Sequence, residues 1–279
     1  MRSITANRRS KYHVLVLAII SIFLFGLLCS CSILRSHPSS EKPEVLKILC
    51  YNIHIGKGMD GVLDLKRIAD IITKSRADIV ALQEVDRFTE RSGKIDQLAV
   101  LSILAGLNGV YGKTIDFQGG EYGIAILSRC DIEFSQHYLM PERENIERRG
   151  FLLLVANKNG HRFACINTHL GLDGEERKEQ IATILEITKE VTEPLIIAGD
   201  FNETPHSSNW EMMYDTFIDT ALSLNTTQNT FPSDAPEKRI DYVWFRRADG
   251  WEPVSCKTIP TTASDHLPFF VEAKMPASP

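Results

Sequence analysis

Short apolar runs alternate with segments of helical periodicity in the first part of the chain. Val45–Tyr51 and Asp78–Gln83 have the length and apolar content of buried strands. Residues 64–76 and 96–107 instead carry apolar side chains at the spacing of one helix face, and each segment begins with an aspartate suited to an N-cap, Asp64 or Asp96. The pattern therefore predicts strands alternating with helices.

Strand-like runs dominate the middle and the end of the chain. One amphipathic helix is predicted from Glu175 to about Val191, directly before the apolar strand that ends at Asp200. The other predicted strands are Tyr122–Ser128, Gly150–Ala156, Arg162–Thr168, Ile240–Phe245, Val254–Ile259 and Leu267–Ala273. Early alternation followed by direct strand–strand connections favours an α/β architecture with mixed sheets over a single parallel sheet.

The motif Gly199-Asp200-Phe201-Asn202 closes the short apolar strand that begins at Leu195. Asp200 and Asn202 are two residues apart, so in an extended segment both side chains point to the same side. A carboxylate and an amide that project together suit a phosphate group and a hard metal ion. The alternative is an Asx-type turn that merely ends the strand.

Polar side chains recur at the ends of the predicted strands. Each has a structural explanation when taken alone: His169 as a satisfied buried residue, Glu84 as a solvated carboxylate, and Asp265 as a turn cap before Pro268. The recurrence itself indicates a site for a metal or a phosphate. The residues are Asn52, Glu84, His169, Asp200 with Asn202, Asp241, and Asp265 with His266.

These residues lie in motifs whose order and spacing resemble the endonuclease/exonuclease/phosphatase superfamily, which includes DNase I-like nucleases, neutral sphingomyelinases and inositol polyphosphate phosphatases. The motifs are Tyr51-Asn52-Ile53-His54, Leu82-Gln83-Glu84-Val85, Asn167-Thr168-His169-Leu170, Gly199-Asp200-Phe201-Asn202, Arg239-Ile240-Asp241-Tyr242 and Ser264-Asp265-His266-Leu267-Pro268. The resemblance implies a domain over residues 45–275. It also implies a four-layer α/β sandwich, in which two mixed β-sheets pack face to face with helices on the outer faces.

The resemblance also implies a metal site. Glu84 would bind Mg²⁺ or Mn²⁺, Asn52 would support that site, and Asp265 would lie beside the ion. Mg²⁺ takes few protein carboxylates and keeps several waters, which is compatible with such a sparse set of ligands.

The remaining roles implied by the resemblance concern the water and the phosphate. Asp200 would orient or activate the attacking water, Asn202 would donate to the phosphate, and His169 would stabilise the phosphoryl oxygens. Asp241 would hold His266 in one tautomer and raise its basicity, so that the pair would serve as general base or as a donor to the phosphate. Either Asp200 or His266 would take the proton of the water. Arg149 is a candidate phosphate ligand, with a surface salt bridge as the alternative.

A narrower resemblance points to bacterial proteins grouped with the GPI-anchor lipid remodelling proteins, and it hints at a lipid-related substrate. It rests on Gly58-Met59-Asp60-Gly61 with Asp64, Arg91-Ser92-Gly93 with Asp96-Gln97, and Thr230-Phe231-Pro232-Ser233.

The N-terminus has the pattern of an export signal. Basic residues precede a charge-free apolar run from Val14 to Leu28, which is short for a membrane span. Leu28-Cys29-Ser30-Cys31 resembles a bacterial lipobox, which predicts a lipoprotein signal peptide over residues 1–30, lipidation of Cys31 and a tether over residues 31–44. The alternative is an uncleaved signal anchor, and both place the domain outside the cytoplasm and tethered to a membrane.

Charge and cysteine content narrow the possible partners. Cleavage before Cys31 would remove four of the 31 basic residues and none of the 36 acidic ones, changing the formal net charge from −5 to −9. An acidic protein is not favoured for tight nonspecific binding of nucleic acid. The other cysteines, Cys50, Cys130, Cys165 and Cys256, are predicted to be mainly buried thiols.

The sequence thus favours a metal-dependent phosphodiesterase or phosphatase that acts on a small or lipid-linked phosphoester, with no protein partner evident. The alternatives are a DNase I-like endonuclease, to which Arg143, Arg148 and Arg149 would contribute positive charge, and an inactive binding protein on the same fold.

Overall fold

The structure, a computed structural model, describes residues 44–144 and 146–277. The predicted signal peptide, Cys31 and the tether up to residue 43 lie outside these residues. Among the described residues, no helix has both the length and the apolar character needed to span a membrane.

The first sheet contains six strands with one parallel pair. In spatial order they are β11 (Glu252–Thr258), β12 (Phe269–Lys274), β1 (Val45–Asn52), β2 (Ile79–Arg87), β4 (Gly120–Ser128) and β3 (Asn108–Phe117). β1 and β2 are parallel, and the other neighbours are antiparallel.

The second sheet repeats this arrangement. Its strands, in spatial order, are β5 (Asp131–Leu139), β6 (Gly150–Lys158), β7 (His161–His169), β8 (Leu195–Asp200), β10 (Asp241–Arg246) and β9 (Phe217–Asp219). Here β7 and β8 form the parallel pair. Parallel neighbours need a crossover connection, and in each sheet a helix supplies it.

The helices begin at good capping residues. The crossover helices are α1 (Leu65–Ser75) and α3 (Gly174–Thr188), and the others are α2 (Gln97–Ala105), α4 (Ser208–Tyr214) and α5 (Thr220–Ser223). As predicted, the Asp64 and Asp96 side chains accept hydrogen bonds from the first turns of α1 and α2. Asp173 caps α3 in the same way, two residues before the predicted start. Three 3₁₀ turns within the described residues cover His54–Gly56, Glu90–Ser92 and Arg247–Asp249.

Three apolar layers hold the elements together. Side chains from both sheets, such as Ile48 and Ile196, fill the space between them. Apolar side chains of α1 and α2, for example Ile68 and Leu101, pack on the outer face of the first sheet. Ile181 of α3 and Trp210 of α4 do the same on the second sheet. The chain is therefore a four-layer α/β sandwich, and the predicted fold is confirmed.

Two sequence predictions need correction or completion. Glu84 was expected at the carboxyl end of a strand, but β2 continues to Arg87, and Glu84 lies inside it at a bulge with φ 58°. The edge strands β3 and β5 were not predicted. All four cysteines of the described residues are free thiols, of which three are buried, in agreement with the sequence.

Candidate active site

The strand register brings three of the predicted site residues side by side on the second sheet. His169 at the end of β7 pairs with Asp200 at the end of β8, and Asp200 pairs in turn with Asp241 at the start of β10. All three side chains are buried. Three polar residues at one sheet edge thus form a continuous row.

Asn52 connects this row to the first sheet. Its amide nitrogen Nδ2 donates to Glu84 Oε1 and to Asp200 Oδ2, both at 3.0 Å. Its carbonyl oxygen Oδ1 accepts from the backbone N–H of His54 at 3.0 Å. Because the amide is buried and both N–H groups of its Nδ2 are engaged, the positions of Glu84 and Asp200 relative to one another are fixed through it.

Asp265 lies on the other side of Asn52. The neighbouring Ser264 hydroxyl donates to the Asn52 backbone carbonyl at 2.7 Å. Asp265 Oδ1 is 3.7 Å from Nδ1 of His54, and about a third of its side chain is exposed. His54 therefore borders the site next to Asp265.

Asp241 and His266 form a buried dyad. His266 Nδ1 lies 2.9 Å from Asp241 Oδ2, which leaves Nε2 directed at Asp200 Oδ2, 3.6 Å away. Burial alone lowers the pKa of His266, but Asp241 and then Asp200 outweigh it and raise the pKa to about 10. The two carboxylates therefore favour the protonated form of the imidazole. The Thr230 hydroxyl supports the dyad by accepting from the backbone N–H of Asp241 at 3.3 Å.

At His266 the neighbouring charges outweigh the effect of burial on the pKa, whereas at Asp200 burial outweighs the stabilising neighbours. Burial and the neighbouring Asp241 carboxylate raise its pKa, and His266 and Asn52 only partly compensate, so that the pKa reaches about 7. A carboxylate that titrates near neutrality is well matched to proton transfer.

His169 faces the same carboxylate from the other side. Its Nε2 is 3.5 Å from Asp200 Oδ2 and 3.2 Å from Asn202 Nδ2. Burial, followed by the charges of Arg149 and His266, holds the pKa of His169 well below its usual value, so the ring is neutral.

Arg149 contacts Nδ1 of His169, the ring nitrogen that does not face Asp200. Its Nη1 is 3.2 Å from His169 Nδ1 and 2.7 Å from Glu147 Oε1, and its buried Nε has no hydrogen-bond partner among the described residues. Arg149 therefore forms a salt bridge, but a buried one rather than one at the surface, and its role as a phosphate ligand stays a prediction.

Asn202 combines the two alternatives considered for the motif after β8. Its backbone N–H donates to Asp200 Oδ1 at 2.9 Å, which is an Asx turn, and its φ is 48°. The turn directs the Asn202 amide toward His169 and Leu170, whose carbonyl accepts from Nδ2 at 2.9 Å. The turn is what brings Asn202 into the site.

Two groups of residues are candidates for holding a metal ion, one that the geometry brings together and one that the sequence predicts. Asp200, Asp241 and His266 each have a ligand atom within 4.8 Å of the others, and buried Asp241 Oδ1 has no hydrogen-bond partner in the part of the chain that the structure describes. The second group comprises Asn52 and the half-buried carboxylates of Glu84 and Asp265. Its oxygen-rich donor set fits Mg²⁺ or Mn²⁺.

Beneath the site, a polar network that the sequence did not reveal joins the two sheets. Asn167 Nδ2 on β7 donates to the backbone carbonyls of Leu82 and Ala125 on the first sheet, both at 2.8 Å. The Gln83 side chain donates back to Asn167 Oδ1 at 2.7 Å. The available signal was an amide in each of two apolar strands, Gln83 directly before Glu84 and Asn167 two residues before His169.

A second cluster that the sequence did not reveal borders Glu84. The buried carboxylate of Asp86 accepts two hydrogen bonds from Arg91, both at 2.8 Å, and one from Thr89. The Arg91 guanidinium also lies over the Tyr122 ring, 5.2 Å from its centroid. Tyr122, at the start of a predicted strand, thus packs beside this cluster.

A two-sheet α/β sandwich with carboxylates, histidines and amides at one edge is the architecture of a class of metal-dependent phosphoester hydrolases. Residues 49–266, well over half of the chain, match the endonuclease/exonuclease/phosphatase family. The chain belongs to this family.

Individual proteins are similar to this chain in sequence or in fold. The uncharacterized protein YbhP of Escherichia coli K12 is 26% identical over 253 residues, covering 84% of this chain and 98% of YbhP. An endonuclease/exonuclease/phosphatase structure from Beutenbergia cavernae has a TM-score of 0.67 at 24% identity, over 84% of this chain and 72% of that one. The mannosyl-6-phosphatase Bt3783 of Bacteroides thetaiotaomicron has a TM-score of 0.68 at 18% identity, over 82% and 99%.

Proposed function

We propose that the protein is a divalent-metal-dependent phosphodiesterase or phosphatase in which Asp200 takes the proton of the attacking water. One observation carries this proposal: Asp200 is buried, has a pKa of about 7, and lies between neutral His169 and cationic His266. The sequence left the choice between Asp200 and His266 open. His266 cannot act as a base while it is protonated, so the electrostatics favour Asp200.

The surrounding side chains are arranged to hold a phosphoryl group. His266, fixed by Asp241, offers Nε2–H as a charged donor, and Asn202 and His169 offer donors from the opposite side of Asp200. Preorganised donors of this kind stabilise the charge that develops on the phosphoryl oxygens. Asp200 would orient the water between them.

Glu84, Asn52 and Asp265 are proposed to hold Mg²⁺ or Mn²⁺. The alternative trio includes His266, whose Nδ1 is hydrogen-bonded to Asp241 Oδ2 at 2.9 Å, which leaves only Nε2 for a metal. When bound, the cation neutralises phosphoryl charge and assists the leaving oxygen.

The proposed substrate is a small or lipid-linked phosphoester. The acidic net charge supports this, as does the fold shared with a relative named as a mannosyl-6-phosphatase. The arginines that would favour a nuclease are already engaged: Arg143 with Glu179 at 2.6 Å, Arg149 with Glu147, and Arg148 through Nε with the Met140 carbonyl. A DNase I-like endonuclease is therefore the second candidate.

We further propose that the protein is exported and tethered to the membrane by a lipid on Cys31. The support is the lipobox-like sequence after the apolar run. Cys31→Ser should release the protein from the membrane fraction, and unchanged retention would contradict the lipid anchor.

Activity assays on the full-length protein with Mg²⁺ or Mn²⁺ test the proposed reaction. The panel comprises bis-p-nitrophenyl phosphate, mannose 6-phosphate, an inositol phosphate, sphingomyelin and plasmid DNA, each repeated with His266→Ala. We expect turnover of a small or lipid phosphoester that the substitution abolishes. Cleavage of DNA alone would favour the endonuclease, and no turnover of any compound would favour a binding protein.

A further inference from the structure

Gln97 is buried between two segments that each carry a proposed metal-site residue. Its Oε1 accepts from the backbone N–H of Asp86 at 2.9 Å, and its Nε2 donates to the backbone carbonyl of Ile55 at 2.6 Å. Asp86 is two residues after Glu84, and Ile55 is three residues after Asn52. One side chain therefore ties together the backbones that follow Glu84 and Asn52.

Both segments have backbone conformations that need support from their surroundings. Glu84 lies in the bulge of β2 with φ 58°, and His54 and Ile55 have φ values of 45° and 51°. Such left-handed conformations are unfavourable for non-glycine residues and persist only where neighbouring contacts enforce them. The two hydrogen bonds of Gln97 supply such contacts to each segment.

Gln97 is itself held rigidly. It is the first residue of α2, and its predecessor Asp96 caps Ala99 N–H at 3.0 Å and pairs with Arg87 Nε at 2.8 Å. The turn at Ile55 also fits closely: Gly56 has φ 77°, and a Cβ there would approach Cδ2 of Leu65 to 2.6 Å. The amide of Gln97 thus bridges two constrained segments from a fixed helix end.

We propose that Gln97 is a positioning residue that sets the placement of Glu84 relative to Asn52 and thereby the affinity of the metal site. This inference rests on the proposed function, because it takes Glu84 and Asn52 as the residues that hold the cation. Residues that orient metal ligands without touching the metal typically change metal affinity about 10–100-fold when replaced.

Gln180 on α3 provides a matched control. It is also a buried helical glutamine that accepts a backbone hydrogen bond, from Gly171 N–H at 2.9 Å, and it donates to Glu176 Oε1 at 2.6 Å. Both of these partners belong to the second half of the chain, away from the Glu84 and Asn52 segments. Its replacement removes a similar buried amide and leaves the Glu84 and Asn52 segments in place.

The test measures Mn²⁺ binding to the full-length protein by electron paramagnetic resonance, together with activity as a function of Mn²⁺. We expect Gln97→Met to weaken Mn²⁺ binding about tenfold, with most of kcat recovered at saturating Mn²⁺, because the site is displaced and no ligand is removed. Gln180→Met should leave Mn²⁺ binding unchanged. Equal Mn²⁺ affinity of the wild type and Gln97→Met, or equal weakening by both substitutions, would overturn the proposal.

Circular dichroism and thermal melting establish that each variant is folded. Should Gln97→Met fail to fold, Gln97→Glu keeps the acceptor for Asp86 N–H and removes the donor to Ile55, and the same tenfold weakening is expected. If neither variant folds, Gln97 is required for stability and the positioning role is refuted. A wild-type protein that does not bind Mn²⁺ would instead contradict the proposed function itself.

Discussion

Glu84 and Asp265, contributed by the first sheet and its loops, keep part of their carboxylates in solvent, whereas Asp200 and Asp241 on the second sheet are completely buried. The backbones differ as well. Glu84 lies in a bulge with φ 58°, but His169, Asp200 and Asp241 follow one another in regular strand register. The two halves of the site therefore place similar functional groups in very different environments.

This difference indicates a division of roles under the proposed function. Accessible carboxylates suit a cation that must exchange with solvent and keep several of its waters. Buried groups with displaced pKa values suit proton transfer and charge stabilisation, which need a preorganised environment of low polarity. Asn52, bonded to both Glu84 and Asp200, couples the two halves.

The largest expected effect comes from Asp200→Asn. We expect kcat/KM to fall about a thousandfold, as is typical when a general base is removed, while Mn²⁺ affinity stays within about twofold. The melting temperature should not decrease, because the amide replaces a carboxylate whose ionisation is disfavoured by burial. Loss of Mn²⁺ binding with kcat preserved would reverse the roles assigned to the two sheets.

Glu84→Gln should have the next largest effect, on the metal rather than on the chemistry. We expect Mn²⁺ affinity to fall at least about tenfold, because a direct charged ligand is lost, and activity to recover partly at high Mn²⁺. Titration of activity and of Mn²⁺ binding measures both quantities. Glu121→Gln, on β4 and paired with Arg87, is the control and should leave both unchanged.

The pH dependence of stability tests the buried half. The folded-state pKa of His266, about 10, is above its unfolded value, so the Asp241–His266 pair stabilises the fold fully below about pH 6.5 and loses this contribution as the pH rises toward 10. The difference in melting temperature between the wild type and Asp241→Asn should therefore be largest near pH 6 and shrink on the way to pH 10. A difference independent of pH would show that His266 is not charged.

Activity should depend on pH through both groups. We expect kcat/KM to rise through about pH 7 as Asp200 ionises and to fall toward pH 10 as His266 loses its proton. In Asp200→Asn the rising limb should disappear from the residual activity. Persistence of that limb would assign it to another group.

We expect the smallest effect on Mn²⁺ affinity from Tyr111→Phe, which removes a hydrogen bond to the β2 bulge that contains Glu84. The Tyr111 hydroxyl donates to the carbonyl of Val85, next to Glu84, at 3.1 Å. Tyr111→Phe should lower the free energy of unfolding by about 1 kcal/mol and weaken Mn²⁺ binding by no more than about threefold. Denaturant melts and Mn²⁺ titrations measure the two effects, and a larger loss of affinity would mean that the bulge depends on this bond more than on Gln97.

Buried strands and capped helices were readable from the sequence because their signals are local. β1, β8 and β10 are apolar runs that fill the space between the layers, and Asp64 and Asp96 mark helix starts by their side-chain chemistry alone. The edge strands β3 and β5 were missed because much of their surface is exposed, which removes the apolar signal. Their strand conformation comes from pairing with β4 and β6.

The site could be predicted only in part, because its contacts, unlike strands and helix caps, do not arise from local sequence. The motifs identify Asn52, Asp200 and His266. The contacts between their side chains, however, depend on how the two sheets pack, and the strands that meet there are far apart in the sequence. The bulge at Glu84 comes from a register shift between β2 and β4, and the Asn167 bridge requires the second sheet to lie against Leu82 and Ala125. Neither has a signature in local sequence.

Two free thiols between the sheets can report how often the protein opens locally. Cys50 and Cys165 lie in the layer between the sheets, and burial raises the pKa of each, that of Cys165 to about 12, so neither reacts as a thiolate in the closed protein. Alkylation at these positions can then proceed only when the layers separate locally, and its rate measures how often they do so. Measuring the alkylation rate with and without Mn²⁺ would show whether metal binding also makes local separation of the two sheets less frequent.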